Sequence, residues 1–164
     1  MNEDNVKFLS EFLLQQIEQE SAITRKVLAA VPAEQSGYKP SEKCMSGLDL
    51  ATHIAASEDF FLRGIVNGAF EWKQPEFKTP AEALEAYNAT IPALIEQARA
   101  LPVEKLTAVI GFGPFQQPAY TYLALNIKHS AHHRGQLSTY LRPMGSKVPS
   151  IYGPSGDDAP AASA

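Results

Sequence analysis

The chain holds 164 residues, 45% of them apolar and 20% charged, with a net charge of −4. That is the size of one domain, large enough to bury a core without staples, and the composition excludes a disordered or collagen-like chain. No basic block is present, which argues against a nucleic-acid partner.

The single cysteine, Cys44, precludes an internal disulfide and suits a reducing compartment. Met1-Asn2-Glu3-Asp4 is acidic and no apolar run follows it, so no signal peptide is read. No stretch reaches the roughly 18–20 apolar residues of a membrane span. A soluble cytoplasmic protein, with no membrane partner, is the expectation.

In chain order, the first expected helix runs from Asp4 to about Ala30. Val6, Leu9, Leu13, Ile17, Ile23 and Val27 fall mostly three or four residues apart. Polar Gln16 and Glu20 interrupt that stripe, and Pro32 follows its end. Residues 37–43 read as a loop. Ser46-Gly-Leu-Asp49 resembles a capping box and opens a second helix, Gly47 to about Asn67, with Leu50, Ile54, Phe61 and Ile65 inward and Gly68 as its stop.

After a connection over 69–79, Thr79-Pro80-Ala81-Glu82 signals a third helix: a Thr cap, Pro at the first position and Glu three residues after the cap. It ends near Leu101-Pro102, and Pro92 should bend it. Residues 103–119 are expected to be a loop, with Ala108-Val109-Ile110 extended. A fourth helix spans about Pro118 or Ala119 to Leu141, and Pro143 ends it.

The expected fold class is therefore all-α: a four-helix bundle with long inter-helix loops, which leave room for a crossover. The bundle domain is placed at residues 1–154 and a flexible Gly/Pro/Ser/Ala tail at 155–164.

All four histidines lie on these helices: His53 on the second, and His129, His132 and His133 on the fourth. Residues i and i+4 differ by about 40° around a helix, so His129 and His133 project side by side and can chelate one divalent ion. His132 is turned about 60° from His129 and about 100° from His133. A metal normally needs a third protein ligand. His53 supplies it if the second and fourth helices are neighbours, and such a site keeps a position open for water or substrate.

Other schemes fail: there is no Glu-x-x-His, no zincin Glu, no P-loop, no G-x-S-x-G and no C-x-x-C. Glu58, Asp59, Glu20 and Gln16 are weighed as partners for the ligating rings, but a solvated or helix-stabilising role is the preferred reading for each. For Gln136, about one turn past His133, lining the pocket is the lesser of two readings, behind a solvated or helix-stabilising role. Arg134 reads as a salt-bridge residue, Gly135 as a site of close helix approach, and His132 as a rim or subunit-interface residue. Phe60, Phe61, Tyr120, Tyr122 and Tyr140 read as core.

The order of long helices, the lone early His53, and His129-Ser-Ala-His-His-Arg-Gly-Gln136 resemble the DinB/YfiT-like family over roughly residues 5–145. The resemblance implies a metal-binding four-helix bundle with ligands at His53, His129 and His133. It also implies one divalent ion, zinc or nickel most often, and frequently a homodimer. The family includes hydrolases and enzymes that use low-molecular-weight thiols on small molecules, so a water or thiolate at the ion is the expected nucleophile. A catalytic side chain remains unassigned. The rival readings are a non-enzymatic metal-binding bundle and a metal-free interaction module.

Overall fold

The helix signals act where they stand in the sequence. The computed structural model describes residues 2–158. Helix α1 covers Glu3–Ala29, and the Asn2 side chain caps it by accepting from the Asn5 N–H at 2.9 Å. Helix α2, Gly47–Asn67, opens on a reciprocal capping box: Asp49 N–H donates to Ser46 Oγ, and Ser46 N–H to Asp49 Oδ2, both at 3.1 Å. It closes on Gly68 at φ 75°, a left-handed cap that favours glycine. Helix α3, Pro80–Arg99, is capped by Thr79 and continues through Pro92.

Residues 103–119 depart from the expected loop. A short helix α4, Val103–Thr107, leads into an antiparallel hairpin, β1 Val109–Phe112 and β2 Phe115–Pro118. The four-residue strands were too short for alternation to reveal them, although the extended stretch at 108–110 was anticipated. Tyr122 anchors the hairpin by donating its hydroxyl to the Ile110 carbonyl at 3.0 Å. Helix α5, Thr121–Leu141, is the fourth long helix of the sequence reading.

The four long helices form a ring in which α1 and α2 each pack against α3 and α5. Cross-contacts fix their directions. Glu20 meets Arg134, and Ser146 bonds to the Ala30 carbonyl, at nearly constant sequence offset, so α1 and α5 are parallel. His53 faces His133 while Phe61 faces His129, so α2 opposes α5. Glu11 meets Arg99 while Arg25 meets Asn88, so α3 opposes α1. The order is up-down-down-up. The α2–α3 connection must therefore run back along the bundle, the kind of crossover that its length allows.

That returning segment explains a close contact. The Phe70 ring lies on Gly64, where a Cβ would collide with it. Gly135, expected at a close helix approach, is instead exposed, and a Cβ there would meet nothing within 4 Å.

Leu50, Ile54, Leu62 and Ile65 of α2, Ile91 and Ile95 of α3, and Leu123, Leu137 and Leu141 of α5 fill the core. Each such side chain contributes about 1.5–3 kcal/mol on burial. The buried face of α1 is mixed. Val6, Leu14, Ile17 and Val27 alternate with buried Ser10, Ser21 and Thr24, while Leu9, Leu13 and Ile23 are only half-buried.

No helix among the described residues is long and apolar enough to cross a membrane. Within the expected tail, Asp157 accepts from Arg142 and from the Val148 N–H, each at 2.9 Å, and Ser150 donates to Asp158 at 2.8 Å. Residues 159–164 lie outside the described residues.

Candidate metal centre

Antiparallel packing of α2 on α5 brings His53 beside the i, i+4 pair His129 and His133. One ring nitrogen from each of the three lies within 4.8 Å of the other two. Among the described residues no other His, Cys, Asp or Glu joins this group. Ring centroids are 4.4 Å apart for His53 and His133, 4.5 Å for His129 and His133, and 5.2 Å for His53 and His129.

His53 Nε2 and His133 Nε2 are 3.1 Å apart. Two nitrogens bound to one tetrahedral ion by bonds of 2.0–2.1 Å sit about 3.3 Å apart. The spacing therefore fits shared coordination with little movement.

Protonation suits the same role. Burial lowers the pKa of all three rings, and a positive charge on one would oppose charge on the next. His129 is pushed down to about 4. At neutral pH each ring is an uncharged donor of a nitrogen lone pair. His133 Nδ1 lies 3.1 Å from Gln136 Oε1. An amide oxygen only accepts, so that bond assigns the His133 proton to Nδ1 and leaves the Nε2 lone pair facing His53. His129 Nδ1 is buried without a hydrogen-bond partner.

Gln136 thus bonds to a ring of the trio, a role that the sequence reading, which weighed it only as a pocket-lining residue, does not assign to it. His132 is exposed on α5, and its ring packs against His133 at 4.7 Å without joining the three. Asp59 pairs with Arg63 on the outside of α2, and Gln16 bonds to Gln19.

Glu58 and Glu20 overturn their solvated reading. Glu58 is fully buried and takes hydrogen bonds from Tyr87 at 2.6 Å and from Ser130, with Thr24 at 3.5 Å. Burial raises its pKa against those hydrogen bonds and the nearby Arg134 and Arg25. Its partners are hydroxyls, not imidazoles. Glu20 meets the buried Arg134 guanidinium and accepts from Tyr152 at 2.7 Å. Arg134 is therefore the salt-bridge residue anticipated, in the bundle interior.

An apolar slot of about 190 Å³ opens beside His53 and His129. Phe60, Phe61, Phe112 and Trp72 line it. Phe60 and Phe61 also belong to the buried interior, as expected. Trp72 and Phe112 were not anticipated. They come from the returning segment and the hairpin, where periodicity carries no signal; the chain's lone tryptophan standing in a loop was the available hint.

A family model described as the DinB family matches residues 1–161. YjoA of Bacillus subtilis (strain 168) is 29% identical over 130 residues, which cover 75% of this chain and 82% of YjoA. YrdA of the same organism is 35% identical over 74 residues, 45% of this chain and 42% of YrdA. The crystal structure of a DinB-like protein from Bacillus cereus ATCC 10987 superposes with a TM-score of 0.75 at 25% identity, covering 87% of this chain and 97% of that one. That of YjoA gives 0.72 at 24% identity, covering 86% and 97%. The chain belongs to the DinB family.

Proposed function

We propose that the protein is a metal-dependent enzyme acting on a small molecule, with one divalent ion, zinc or nickel, held by His53, His129 and His133. The observation that carries this reading is the meeting of three uncharged ring nitrogens, from two helices, within 4.8 Å. A bound divalent ion would supply Lewis acidity, and would favour ionised water or thiol beside it at neutral pH.

The chain's own residues divide the remaining work. Gln136 fixes the ring orientation and tautomer of His133. Phe60, Phe61, Phe112 and Trp72 set an apolar wall beside His53 and His129. Among the described residues no fourth protein donor fills the group, and an incomplete protein shell suits catalysis better than a purely structural ion. Glu58 is bound by hydroxyls in the interior and is not placed to take a proton from substrate. Hydrolysis and transfer to a low-molecular-weight thiol are the two reactions this arrangement accommodates.

The test uses protein made without a histidine tag. Dialysis against zinc or nickel should leave one ion per chain, and His53→Ala should abolish uptake. The loaded protein should then turn over an activated aryl ester with water or with an added thiol. Uptake without turnover of either kind would reduce the reading to a non-enzymatic ion site, and no uptake would end it.

A further inference from the structure

The slot beside the three histidines has a definite chemical character. Its walls are rings from three separate parts of the chain: Phe60 and Phe61 from α2, Trp72 from the returning segment, and Phe112 from β1. Phe60 lies 5.4 Å from Trp72 and 5.6 Å from Phe112, both edge to face. At one end the slot meets His53, whose ring is 6.2 Å from Trp72, and His129, whose ring is 5.5 Å from Phe61.

Its one hydroxyl, on Ser57, already donates to the Ile54 carbonyl at 3.2 Å. No Lys, Arg, Asp or Glu lines it. A charged substituent entering here would lose water and gain no partner. The volume, about 190 Å³, exceeds the engineered apolar cavity of about 150 Å³ that accepts benzene.

We infer that the ligand of this site is a small molecule of two parts. A polar donor faces His53, His129 and His133, and an uncharged aryl or branched alkyl group about the size of a phenyl ring fills the aromatic slot. This rests on the metal-site reading above and adds the substrate class to it. Trp72 and Phe112 are then specificity-determining residues. Their loop and hairpin positions let the slot vary without disturbing the bundle.

Acetohydroxamate and benzohydroxamate test this, because they share a chelating head and differ by methyl against phenyl. Each is titrated calorimetrically into zinc-loaded and metal-free protein, with their ratio of affinities for free zinc as the reference. Benzohydroxamate should bind the loaded protein at least about tenfold tighter than that reference ratio allows, the effect expected of burying a ring in place of a methyl. Trp72→Gln, at a half-exposed loop position, should remove most of that advantage, read as the ratio of benzohydroxamate to acetohydroxamate affinity. Ion-dependent acetohydroxamate binding with no phenyl advantage, or an advantage that Trp72→Gln does not reduce, overturns this inference alone. Failure of zinc uptake, with neither probe bound, overturns it together with the metal-site reading.

Discussion

Gln136 Oε1 accepts a hydrogen bond from His133 Nδ1 at 3.1 Å, across about one turn of α5. Both residues are half-buried, so water competes only partly for that contact. Replacing Gln136 with Leu frees the ring to rotate and removes the acceptor that assigns its proton. Loss of such a partner typically lowers metal affinity about 10–100-fold. Competition with a chromophoric chelator should show that loss, and Gln136→Glu, which keeps an acceptor, should recover most of it. Equal affinities for all three proteins would show that His133 is oriented by packing alone.

The same bond illustrates what a sequence reveals and what it conceals. Helix spacing places Gln136 near His133 and sets His129 beside His133, because both relations are local. The approach of His53 depends on α2 lying antiparallel to α5, a tertiary fact that the linear spacing makes conditional. Capping residues Ser46 and Thr79 marked helix starts closely because each satisfies backbone N–H groups within its own turn. Glu58 and Glu20 were misread because a carboxylate looks solvated until the hydroxyls and guanidinium that satisfy it arrive from other helices. The α2–α3 crossover, and with it Trp72, was hidden for a similar reason: loop length permits a direction without selecting it.

His132 and His133 are adjacent in sequence but face differently. His132 is exposed, whereas His133 has a nitrogen 3.1 Å from His53. His133→Ala should abolish stoichiometric zinc uptake, while His132→Ala should retain one ion per chain with affinity within about threefold of the parent, since a neighbouring surface ring adds little. Inductively coupled plasma mass spectrometry on tag-free protein checks both. Equal losses would contradict the geometry of α5.

The metal-free protein should become less stable on mild acidification. His53, His129 and His133 have folded-state pKa values below the ordinary 6.5, with His129 near 4. As pH falls through about 6.5 the unfolded chain takes up protons on these rings, and the folded chain resists. Their contribution to stability is thus fully present above pH 6.5 and is lost progressively toward pH 4. Glu58 acts with the opposite sign, because its raised pKa favours the folded state only while the carboxyl keeps its proton. Urea unfolding of metal-free protein at several pH values, repeated with the His53→Ala/His129→Ala/His133→Ala triple variant, isolates the imidazole part. The parent should lose more stability than the triple variant between pH 7 and 4.5; parallel curves would mean that the rings are solvated in the folded state.

Arg134 gives the sharpest test of the polar interior. It is 1% exposed, and its guanidinium donates to the Glu20 carbonyl at 3.1 Å and to Thr24 Oγ1 at 3.0 Å, besides meeting the Glu20 carboxylate and the Tyr152 hydroxyl. These contacts tie α5 to α1 and to the segment that follows α5. Methionine at this position keeps much of the aliphatic stem but strands the partly buried Glu20 carboxylate and leaves Thr24 without its donor. Breaking one side of a buried pair costs about 3–5 kcal/mol. Arg134→Met should therefore lower unfolding free energy by that amount, and adding Glu20→Gln should restore part of it by removing the orphaned charge. A loss below about 1 kcal/mol, the size of a surface pair, would mean that water replaces the guanidinium easily and that the α1–α5 seam is held by its apolar contacts alone.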